Sequence, residues 1–158
     1  MKILRSILAV VVGSIVGFLF IMAIEAVNGF IYPPPEGKSG MEWMKEINDG
    51  SPAAKEWIRS MPTSAMALVQ VAWAVGAAVG GAVSAWIAGR ARVLDAGIIG
   101  ALVLVVTVIN FLEMKAKLDY THPDWLIVTG LLLPLPLALL GGKLVAVLCT
   151  AARVETPP

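Results

Sequence analysis

The sequence predicts an all-α polytopic membrane protein, a four-transmembrane-helix bundle with short helices in the first extramembrane loop. Three observations carry that class. Of 158 residues, 58% are hydrophobic and only 15% are charged, against about 25% charged in soluble domains. Mean hydropathy is +0.84. The apolar residues are also blocked into four long runs rather than interleaved at amphipathic spacing. Each run approaches or exceeds the roughly 20 residues needed to cross about 30 Å of hydrocarbon. Residues 1–158 read as a single membrane domain.

The expected spans cover about 7–31, 65–88, 93–112 and 125–148. Lys2 and Arg5 precede the first run, as in a signal peptide. The run is longer than the roughly 7–15 residues of a signal-peptide core, and no small-x-small cleavage site follows, so a retained helix is expected. An extramembrane helical loop occupies about 36–62. Within it, Ser39 and Glu42 match the S-x-x-E capping box, whose hydroxyl and carboxylate satisfy free helix-end amides. A first short helix should end near Asn48-Asp49-Gly50. Ser51-Pro52 then reads as an N-cap with proline at the first helical position. Both short helices carry tryptophan on an apolar side, so Trp43 and Trp57, together with Trp125, are expected as interface anchors.

Packing signals lie in the first two spans. Gly13 and Gly17, and Gly76 and Gly80, form small-x-x-x-small pairs that let helix backbones approach closely. Gly81 extends the second face. Such faces serve packing within one chain or between copies, with the internal role preferred. In the fourth span, Pro134 and Pro136 remove backbone donors and predict a kink.

With four spans, both termini share one side. Lys2, Arg5, Arg90 and Arg92 sit tight against helix ends, and the first helix usually dominates orientation. Both termini are therefore expected in the cytoplasm, with the long first loop outside.

Polar residues are segregated by depth. Glu25 lies roughly 9 Å past the centre of its span at 1.5 Å per residue, still within a half-thickness of about 15 Å. Asn28 shares its side of the helix. Folding the other spans up and down brings Gln70, Asn110, Glu113, His122 and Asp124 to similar depth, so these seven are the candidates for a ligand or proton pocket. The opposite span ends offer little comparable except Lys143, which can snorkel. Intramembrane charge costs at least about 2.5–3.5 kcal/mol on insertion scales, so Glu25 calls for either a function or structural hydrogen bonding. Asp124, beside Pro123, is expected to cap the fourth span.

Several chemistries are excluded. A net charge of +1 with no basic cluster argues against nucleic acid. Gly37-Lys38-Ser39-Gly40 lacks the earlier glycine and the preceding strand of a phosphate loop. As the G-x-S-G of rhomboid proteases it would place Ser39 in a polar loop rather than a buried helix. The lone Cys149 allows no C-x-x-C, and His122 and Cys149, the strong nitrogen and sulfur ligands, belong to opposite faces. No catalytic residue, metal or cofactor is expected.

Glu25-Ala-Val-Asn28 before Tyr32-Pro-Pro-Pro35, Trp73-x-x-Gly76 with Gly80-Gly81, Ala88-Gly-Arg90 and His122-Pro-x-Trp125 together resemble small four-helix integral membrane proteins of bacteria. That group has no established activity, so the resemblance implies fold and location only. Small multidrug exporters also have four helices and a first-helix glutamate. They are shorter, keep the glutamate near mid-span and lack a large first loop, so no drug site is carried across.

The expected function is a non-enzymatic accessory or assembly component of a membrane complex in the bacterial inner membrane. The alternative is a small proton- or cation-coupled carrier or ligand-binding protein using Glu25 in an outward-facing polar pocket. Expected partners are the lipid bilayer and either another membrane protein or a second copy of the chain.

Overall fold

The computed structural model describes residues 2–35, 40–89 and 92–154. Every regular element among them is a helix: α1 (Lys2–Ile31), α2 (Gly40–Asp49), α3 (Pro52–Ser60), α4 (Thr63–Ala88), α5 (Arg92–Leu118), α6 (Asp124–Leu132) and α7 (Pro134–Val154). Four stretches are long and apolar enough to cross a membrane: Ile3–Ile31, Thr63–Ala88, Val93–Leu118 and Asp124–Cys149. In the first of these only 17% of the apolar window is buried inside the protein. Most of its hydrophobic surface therefore has no partner within the chain.

The helix expected over 93–112 continues to Leu118. Its extension is built from good helix formers. Lys117 pairs with Glu113 one turn earlier at 2.9 Å, an i,i+4 contact that supports a helix end. Lys115 and Lys117 also complement the C-terminal end of the helix dipole. In the last span the helix is interrupted at Leu133, because the prolines at 134 and 136 supply no amide hydrogen. Bonds from Leu133 N to Thr129 O and from Leu137 N to Leu133 O span the interruption. The chain therefore keeps its helical course.

Helix α4 is the hub, packed against α1, α5 and α7. Its small residues explain why. Added Cβ atoms at Gly13 and Gly17 would lie 2.7 Å from the carbonyls of Gly80 and Gly76, so α1 and α4 meet backbone to backbone. Gly81 abuts Ala138 of α7, and Gly141 of α7 abuts Ala78. Close van der Waals packing of this kind associates helices where no hydrophobic drive exists between them.

Helices α2 and α3 cover one end. Ser39 lies outside the described residues, so the α2 capping box is not described. Gly50, with φ at +65°, turns the chain where left-handed backbone favours glycine. Ser51 Oγ accepts from Ala54 N at 3.1 Å, capping α3 ahead of Pro52. Trp43 is buried with Ala54, Ile58 and Leu118, the last residue of α5. Trp57 meets it edge-on at 5.2 Å. Trp43 thus serves the core of this cap rather than an exposed interface, while Trp125 remains exposed. Arg59 reaches the carbonyl oxygen of Asp119 at 3.4 Å and its carboxylate at 3.8 Å.

Candidate functional site

Helices α1 and α5 touch each other only lightly, and the space between them is a cleft of about 1210 Å³. Two stripes at three-and-four spacing line it. On α1 the stripe runs from Ser14 through Phe18, Ile21 and Glu25 to Asn28 and Tyr32. On α5 it runs from Ile99 through Val103, Val106 and Asn110 to Glu113 and Lys117. That spacing keeps each set on one helix face. Trp73 and Met66 of α4 contribute to the wall, and Trp43, Ile47 and Trp57 roof one end. Phe18, Leu19, Leu102 and Val106 line the cleft yet stay exposed, so it is open along its side.

The roofed end is polar. Glu25 is half-buried, and the Trp73 side chain is its hydrogen-bonding neighbour. Asn28 is 8% exposed. Its amide donates to the Ala65 carbonyl at 3.1 Å, while its Oδ1 has no partner. Tyr32 donates to Ser64 at 2.6 Å. These two bonds fasten the end of α1 to the start of α4. An aromatic series continues from Trp73 to Phe111 (5.7 Å) and His122 (4.8 Å from Phe111), then to Tyr120 (5.0 Å from His122). Burial pushes the His122 imidazole below its ordinary range and the Tyr120 hydroxyl above its own, because it penalises the charged form of each.

Five of the seven candidate residues line this cleft: Glu25, Asn28, Asn110, Glu113 and His122. Gln70 and Asp124 do not. Gln70 lies about three turns before Gly81 and so shares its face, which is turned toward α7 rather than α1. It is buried, and neither of its amide atoms has a partner. Asp124 is exposed in the first turn of α6, where Pro123 occupies the cap position without a side-chain bond. The expected Asp124 cap is therefore absent. Proline already fixes that backbone, and the acidic side chain complements the helix dipole instead.

The opposite end holds a residue that sequence reasoning missed. Asp95 is fully buried, and the Ser6 hydroxyl donates to its Oδ1. Polar side chains are thus not confined to one end with Lys143 as the sole exception. Asp95 sits in the first turn of α5 and reads as an ordinary helix-start acid. Only the fold brings Ser6 over it.

Among the described residues, no three of His, Cys, Asp and Glu are grouped to hold a metal ion. Among the described residues, fold and site together define a helical bundle with four helices of membrane-crossing length and a cleft that is polar at its roofed end and apolar along its side. No family model, curated protein or solved structure matches the chain.

Proposed function

We propose that the chain is a multi-pass protein of the bacterial inner membrane, with both termini cytoplasmic, that binds a cationic ligand in an outward-facing cleft. It acts as a small carrier or ligand-binding protein, without catalysis, and Glu25 is the residue that holds the cation. The observation that carries this reading is a carboxylate set in a large cleft with no basic partner among the described residues. Lys117, the basic side chain that lines the cleft among the described residues, is engaged with Glu113. An accessory or assembly role ranks second. Partner contact through the small-residue faces is the support it would need, and Gly13, Gly17, Gly76 and Gly80 are used up between α1 and α4.

Calorimetric titration of the detergent-purified protein with tetraethylammonium and with sodium tests the proposal. The wild type should bind at least one of them, and Glu25→Gln should fold normally yet bind at least tenfold more weakly. Equal binding by both proteins would overturn the role of Glu25. Under a purely structural role, Gln would be tolerated and Glu25→Leu would destabilise, with no cation bound by any of the three.

A further inference from the structure

The shape and polarity of the cleft say more about its occupant. Its volume of about 1210 Å³ exceeds the roughly 300–1,000 Å³ of small-molecule sites. From Ser14 to Asn28, and from Ile99 to Glu113, its walls extend roughly 21 Å at 1.5 Å per residue. That length matches one leaflet, about 15 Å of hydrocarbon plus part of the headgroup zone. The lower walls are apolar, and the side opens between α1 and α5, whose outward residues Ile15, Leu19, Val105 and Ile109 are exposed hydrophobics.

The charge of the roofed end follows from its groups. Glu113 and Lys117 neutralise one another at 2.9 Å. Burial holds His122 toward its neutral form. Among the described residues lining this end, Glu25 is then the carboxylate without a basic partner, and Asn28 Oδ1, one turn on, is a buried acceptor with no donor. Both ask for a donor-bearing, positively charged group. Trp73 and Tyr120, both lining the cleft, add aromatic faces, which attract ammonium groups within about 6 Å of a ring centroid.

Resting on the ligand-binding reading above, we propose that the occupant is an ammonium-headed phospholipid of the surrounding leaflet. It enters sideways between α1 and α5. Its ammonium group lies at Glu25 and Asn28, and an acyl chain lies along Phe18, Leu102 and Val106.

The test measures lipid retention by the full-length protein. Detergent-purified protein is incubated with mixed micelles of phosphatidylethanolamine and phosphatidylglycerol of matched acyl chains, and retained lipid is counted by native mass spectrometry. One phosphatidylethanolamine per chain is expected, preferred at least tenfold over phosphatidylglycerol. Glu25→Gln should reduce that preference to near unity. Val106→Trp, at an exposed position on α5, should fill the cleft and remove retention of both lipids. Leu102→Trp provides a second filling variant should the first fail to fold. Equal retention of the two lipids by the wild type, no retention at all, or retention unchanged in the folded filling variants would each overturn the proposal. If tetraethylammonium or sodium binds through Glu25 but no lipid is retained, the lipid assignment fails and the cation-binding reading stands. If none of these binds, both fail.

Discussion

The Ser6 hydroxyl at the start of α1 donates to the carboxylate of Asp95 at the start of α5, which is fully buried. The second oxygen, Oδ2, has no partner. This bond ties α1 to α5, which touch each other only lightly, at the end opposite the roofed end of the cleft. Removing one member of a buried polar pair leaves the other unsatisfied, at about 1–3 kcal/mol, whereas replacing both by apolar groups can be nearly neutral. Ser6→Ala should therefore lower the unfolding temperature in detergent, and Ser6→Ala with Asp95→Leu should recover most of the loss. A double variant less stable than Ser6→Ala would show that Asp95 has a role beyond this pair.

Gly80 offers no room for a side chain. An added Cβ would lie 2.8 Å from the Gly13 carbonyl oxygen and 3.3 Å from the Gly17 Cα. Backbone cannot step aside as a flexible side chain can, and overpacking costs about 1–3 kcal/mol. Gly80→Leu should lower the thermal stability of the monomer, read by unfolding in detergent alongside its mass by light scattering. Clean dissociation of a larger species into an equally stable monomer would instead make this face an interface between copies.

His122 is the only histidine in the chain, so its titration can be followed without ambiguity. Burial lowers its folded-state pKa from 6.5. Between that lowered value and about 6.5, the unfolded chain binds the proton and the folded chain does not. Its contribution to stability is therefore full above about pH 6.5 and falls as the pH drops toward the folded value. His122→Phe keeps a ring between Phe111 and Tyr120 and removes the titration. Unfolding temperatures measured from pH 7 to pH 5 should fall less steeply in this variant than in the wild type. Parallel profiles would mean that the imidazole is solvated in the folded protein.

Orientation can be read by labelling. With Cys149 replaced, a cysteine at Ala53, an exposed position in α3, should react with an impermeant thiol reagent added outside intact cells. A cysteine at Ala91, between Arg90 and Arg92, should react only after the membrane is opened. The reverse pattern would invert the topology inferred from the basic residues at the helix ends.

Helix content, the four apolar stretches and a disturbance of the last span by its prolines, found as the interruption at Leu133, were legible in the sequence because each is a local property. Run length, a missing amide hydrogen or a cap such as Ser51 acts within a few residues. The polar end of the cleft was partly legible for the same reason, since Glu25 and Asn28 share a helix face whatever packs against it. What local pattern could not supply was the direction each face takes. Gln70 and Trp73 are three residues apart on α4, yet Trp73 reaches Glu25 while Gln70 lies on the face that Gly81 turns to α7. Trp43, amphipathic in sequence, became core because α2 folded onto α3 and the end of α5. The Ser6–Asp95 bond and the α1/α5 cleft have the same origin. The glycines of α1 and α4 draw those helices together, α5 packs against α4 and α7, and the gap left beside α1 exists only in the assembled bundle. Sequence fixes which side chains a helix presents, but their neighbours depend on contacts between segments far apart in the chain, and only the tertiary packing decides those.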